Sequence, residues 1–191
     1  MGGSAGNEQL TAVVAGVLLL LLAIEGATLL RLESLLTVHA FVGMLLIPVV
    51  ALKLASTGWR MLRYYRRSDE YVRLGPPPLL LRALVAPVLV LSTLVLFATG
   101  VALLVLGQTE GTLVGLHKAS FVVWVGAAAV HVLAYAPKLP RLVRARARGL
   151  VLRVALVAGA VAAGALLATA TLPGADRLQD RVSAHVGLDM R

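Results

Sequence analysis

His39 and Lys53 lie fourteen residues apart in one apolar segment, and His117 and His131 lie fourteen apart in another. The corresponding pairs share a second spacing: His39 to His117 and Lys53 to His131 are both 78 residues. Fourteen residues carry a helix through almost four turns and advance it about 21 Å, so each pair occupies one stripe of its helix. A bilayer core about 30 Å thick then holds one member of each pair near each edge. If the two helices run in the same direction, His39 faces His117 at one depth and Lys53 faces His131 at the other. Two imidazoles converging across an apolar slot can supply both axial ligands of a haem iron. The chemistry this pattern suggests is electron transfer through haem, with His39, His117 and His131 as candidate metal ligands.

Such ligands need membrane helices to hold them, and the composition supplies these. Of 191 residues, 59% are hydrophobic, and the mean hydropathy is +0.90. Long uncharged apolar runs in so hydrophobic a chain indicate spans. Five are expected, at about 10–30, 35–57, 80–107, 112–136 and 150–172. The first has no basic region before it and no convincing small-residue cleavage site, so it reads as a retained helix and not a secretory signal. The expected fold is all-α: a polytopic transmembrane bundle with a four-helix haem-binding core and a fifth span. Residues 174–191 form an amphipathic tail, with Leu178, Val182 and Val186 at helical spacing among charges, expected to lie on the outer surface. His185 belongs to that tail and reads as a solvated surface residue.

The formal net charge of +9 follows the loops. Arg60, Arg63, Arg66, Arg67, Arg73 and Arg82 cluster after the second span. Lys138, Arg141, Arg144, Arg146, Arg148 and Arg153 cluster after the fourth. The opposite loops hold few cations. The positive-inside rule places both clusters in the cytoplasm, with the N-terminus inside the cell membrane and the C-terminus outside. Contact with anionic lipid accounts for the basic loops, and no nucleic-acid-reading motif accompanies them. The chain has no cysteine, which excludes thiolate-ligated haem, thioether-attached haem and iron–sulfur clusters built by this chain alone.

Several residues acquire roles from the haem reading. Gly43 lies one turn from His39 on the same face, where a flat macrocycle approaching the backbone needs the smallest residue. Lys118, beside His117, and Arg31, across the first outer loop, can pair with haem propionates; interfacial anchoring explains them equally well. Lys53 stands where a fourth histidine would complete the grid. It either ligates iron as the neutral amine or snorkels its ammonium to the interface. His131 has three roles open: ligand of a second haem, hydrogen-bond partner of a quinone, or partner of a propionate. Glu25, an acid inside the first span, is a candidate for proton handling or a haem-adjacent role, unless it simply reaches water. Gly100, Ser92, Thr93 and Thr99 in the third span, and the Ala160-x3-Gly164 stripe in the fifth, suit helix–helix contacts.

On His39, Gly43, His117, His131 and the common 78-residue spacing, the chain resembles the membrane-embedded b-type cytochromes. It is similar to the two ligand helices of quinol-oxidising respiratory cytochrome b. In size it resembles bacterial b-561-type cytochromes and the membrane subunits of hydrogenases and formate dehydrogenases. The resemblance covers about residues 10–136 and departs at Lys53. It implies one haem b, or two, and electron exchange with a quinone or a partner redox subunit. Two other classes stay open: a haem-free scaffold or assembly subunit with interhelical histidines, and a small transporter, for which the sequence shows no inverted repeat.

Overall fold

A computed structural model describes residues 3–73, 75, 78–138 and 150–189. Helices account for nearly all of them, and no strand occurs among the described residues. Pro76, Pro77 and the basic cluster Arg141–Arg148 lie outside the described residues, as do the side chains of Lys138 and His185. The principal helices are α1 (Gly3–Thr28), α2 (Leu32–Tyr65), the short α3 (Asp69–Val72), α4 (Ala86–Leu106), α5 (Thr112–Tyr135) and α6 (Leu150–Asp189). Four helical tracts are long and apolar enough to cross a membrane: Ala5–Tyr65, Leu81–Leu106, Thr112–Tyr135 and Val151–Ala184.

The first tract, 61 residues long, doubles back on itself. At about 1.5 Å per residue a straight helix of that length would far exceed the bilayer. The chain reverses through the 3-10 turn Leu29–Arg31, with Arg31 at φ −144°, ψ 50°. A second departure follows at Leu35 (φ −116°, ψ 18°). The two arms then pack antiparallel. At the amino end of α1, Asn7 Nδ2 donates to the Ser56 carbonyl at 3.0 Å and Lys53 Nζ to the Thr11 carbonyl at 2.8 Å. Between these polar clasps and the turn, Val14, Leu18, Val42, Leu46 and Val49 form a buried seam.

Helices α4 and α5 make a second hairpin. A five-residue π turn, Leu81–Val85, leads into α4. Gly107 (φ 64°) caps α4 in the left-handed conformation, and Gly111 (φ 92°) starts α5. Side chains with a Cβ rarely adopt either angle, so a glycine at each turns the chain sharply. The hairpin is pinned within the membrane by Trp124 Nε1, which donates to Thr93 Oγ1 at 3.0 Å.

Helix α6 is the principal cover of α2. A Cβ at Gly164 would collide with the Leu45 carbonyl oxygen and come within 3.1 Å of the Leu45 Cα. The Ala160-x3-Gly164 stripe therefore lets two backbones touch, and Ala168 and Ala175 continue it fully buried. Lipid tails are as apolar as leucine, so close van der Waals packing of this kind is what holds membrane helices together.

Residues after 174 prolong α6 through Pro173 as one helix and dock on the hairpin turn. Gln179 Oε1 accepts from the Leu36 amide at 2.8 Å and from the Thr37 amide at 3.3 Å, while its Nε2 donates to the Glu33 carbonyl. The backbone leaves helical angles at Leu35, and Gln179 caps the two amides that follow from another helix. Asp176 accepts from Thr37 Oγ1 at 3.1 Å. The amphipathic pattern of 174–184 is thus used against the bundle, with Leu178 buried.

Candidate functional site

The bundle has two ends. One carries the α1–α2 turn, the α4–α5 turn and the last part of α6; the other carries the amino end of α1 and the carboxyl end of α2. His39 lies toward the first end on α2, and His117 toward the same end on α5. The two rings lie within electrostatic range of each other, as do Lys53 and His131 toward the opposite end. The members of each pair that shares the 78-residue spacing therefore lie toward the same end of the bundle. Helix α5 packs on α4, while α2 packs chiefly on α1 and α6.

Each ring of the first pair is held through Nδ1. His117 Nδ1 is 2.9 Å from Thr99 Oγ1. That hydroxyl gives its single hydrogen to the helix wall, with the Val95 carbonyl at 2.7 Å and the Leu96 carbonyl at 3.0 Å. With its hydrogen on the helix wall, it accepts from the ring. His39 repeats the arrangement: its Nδ1 is 3.0 Å from Thr28 Oγ1, and Thr28 donates to the Glu25 carbonyl at 2.6 Å. The Glu25 carboxylate oxygen Oε1 is also 3.0 Å from His39 Nδ1. With the proton on Nδ1, this network would accept it and leave Nε2 of each imidazole as the nitrogen that can ligate a metal.

Space beside the rings comes from glycines. Gly100 faces His117, where a Cβ would sit 3.2 Å from the ring's Cε1. Gly43 faces Glu25 instead: a Cβ there would lie 3.5 Å from Oε1. The expected cradle residue therefore makes room for the carboxylate that holds His39. The second carboxylate oxygen of Glu25 is buried and has no hydrogen-bond partner among the described residues.

The remaining expected site residues are less gathered. Lys53 Nζ is tied to the Thr11 carbonyl in the α1–α2 seam. The His131 ring lies 4.9 Å from that of Tyr135, tilted by 42°. Arg31 and Lys118 are exposed at the end that carries His39 and His117. Among the described residues no three His, Cys, Asp or Glu side chains gather as a metal-binding group, whereas a structural zinc site takes four such ligands.

Thr28 was not visible as a functional residue in the sequence, and Thr99 and Gly100 read only as small helix-contact residues. A threonine or glycine in a span is common, and nothing local says that its side faces an imidazole. No protein-family model matches the chain, and neither a curated protein nor a solved structure is significantly similar to it. What the fold itself defines is an all-helical protein of membrane-spanning character.

Proposed function

We propose that the protein is a membrane b-type cytochrome that carries electrons, with haem b held between α2 and α5 by His39 and His117. The observation that carries this reading is the matched support of the two rings. Each imidazole sets its Nδ1 within hydrogen-bonding distance of a threonine hydroxyl that is itself bonded to its own helix wall, an arrangement that suits ligation through Nε2. Histidine ligands of metals are oriented in this way by the partner of the other ring nitrogen.

Haem bound there would supply one-electron chemistry, and two protein ligands favour electron transfer over oxygen activation. The chain's own residues do the rest. Thr28, Thr99 and Glu25 fix ring orientation, Gly100 gives the His117 ring its room, and the apolar walls exclude water. Arg31 and Lys118, exposed at that end, are the cations available to carboxylates. The distribution of basic loops puts this end outside and the N-terminus in the cytoplasm. Lys53 and His131 mark a second position at the inner depth, suited to a further haem or to a quinone. Electrons would pass to or from a quinone or a partner redox subunit.

One observation favours a second reading. Both Nδ1 bonds lie within hairpins, α1–α2 and α4–α5, as they would if the histidines only joined neighbouring helices. A haem-free scaffold would need no more. The deciding experiment is a reduced-minus-oxidised absorption spectrum of the purified full chain produced with haem supply. A sharp low-spin b-type signal that disappears in His39→Ala and in His117→Ala establishes the cytochrome. A folded, colourless protein establishes the scaffold.

A further inference from the structure

At the end of the bundle that bears the α4–α5 turn, a groove of about 430 Å³ opens between α4 and α6, away from the histidines. Met44, Val101, Val105 and Leu178 give it apolar walls, and Arg177 and Arg181 line the same groove. No acidic side chain is among the described residues that line it. Asp176, next to Arg177 in sequence, is turned to Thr37 on α2.

Depth within the bilayer decides what can enter. Val101 and Val105 belong to the last turns of a helix long and apolar enough to span a membrane, which ends at Leu106. Both arginines lie beyond Pro173, where α6 reaches the level of Gly107. Arg181 Nη1 is fixed at that level by its bond to the Gly107 carbonyl at 2.6 Å, and Arg177 Nε donates to the Pro173 carbonyl at 2.9 Å. Four residues apart on a helix, the two side chains stand on one face. Guanidinium groups at headgroup depth above an apolar channel match one kind of molecule, with an anionic head and a hydrocarbon tail. A soluble peptide or a free anion would use the charge but not the channel.

We propose that this groove is a binding site for an anionic phospholipid, its phosphate at Arg177 and Arg181 and an acyl chain along Val101 and Val105. Arginine favours phosphate because its planar fork can donate two parallel hydrogen bonds. Gly107 brings its backbone against the Arg181 guanidinium, which a Cβ there would meet. This site does not depend on haem.

The test is native mass spectrometry of the delipidated full chain in detergent, titrated with phosphatidylglycerol, phosphatidylcholine or glycerol phosphate. One phosphatidylglycerol should be retained about tenfold better than phosphatidylcholine, and the Arg177→Gln/Arg181→Gln double variant should lose about that factor. Val105→Trp keeps both arginines and fills the groove from a position 76% exposed; it should lower retention as much. Equal retention of the two lipids overturns the proposal, as does undiminished binding by Val105→Trp. Glycerol phosphate binding as tightly as the full lipid would instead define a free-anion site. If the double variant fails to fold, judged by helical circular dichroism, the headgroup comparison and Val105→Trp decide the matter.

Discussion

Thr99 Oγ1 lies 2.9 Å from His117 Nδ1 while giving its hydrogen to the carbonyls one turn back on its own helix. The consequence is a ring held in direction through Nδ1. Thr99→Val keeps the shape and removes the hydrogen-bond partner. It should lower haem retention by about 10- to 100-fold, the usual effect of losing a ligand's outer partner. Haem titration followed by absorbance measures this. Thr169→Val is the control, because Thr169 makes the same helix-wall bonds, to Ala165 and Leu166, with no histidine beside it. Equal loss in both variants would remove any special role for Thr99.

Gly100 tests the same ring from its other side. A Cβ there comes within 3.2 Å of His117 Cε1, and the Thr99 anchor limits how far the ring can yield. Gly100→Ala should displace the ring by a few tenths of an ångström and weaken the low-spin spectrum. Gly100→Val should abolish it. Gly126→Ala, where nothing lies within 4 Å, should leave the spectrum as it is.

Lys53 gives a stoichiometry. Its ammonium is held by the Thr11 carbonyl, in a direction set by the α1–α2 seam. Lys53→Met should therefore retain one haem per chain in a pyridine-haemochrome assay and cost about 1 kcal/mol in stability. A fall from two haems to one in this variant would show that the lysine serves the inner position.

Gly164 measures the α2–α6 crossing. Gly164→Val would drive a side chain into the Leu45 backbone and should destabilise the bundle by about 1–3 kcal/mol, read as a lower melting temperature in detergent. Gly159→Ala on the same helix meets nothing within 4 Å and should be neutral or slightly stabilising, since alanine favours helix over glycine.

Gln179 serves as a cap supplied by a distant helix. Gln179→Ala leaves the Leu36 and Thr37 amides without their side-chain acceptor. The expected cost is about 1 kcal/mol, with faster hydrogen exchange at those two amides. Unchanged exchange would show that water caps them equally well.

Hydropathy by itself determined that the protein is helical and membrane-spanning, because apolar runs of about 20 residues have few other stable forms in or out of a bilayer. The fourteen-residue spacing determined that His39 and Lys53 share a stripe, as do His117 and His131, since helical periodicity is a local property. The small-residue stripe at Ala160 and Gly164 marked a packing face but not its partner. Tertiary structure alone decided that this partner is α2, that residues after 174 extend α6 to cap α2, and that Gly43 faces Glu25. It alone placed Thr28 and Thr99 on the imidazoles. A sequence fixes the angle of each side chain around its own axis; which neighbour that angle meets depends on the rotation and separation of packed helices. Those are set by steric contacts between residues as far apart as Leu45 and Gly164.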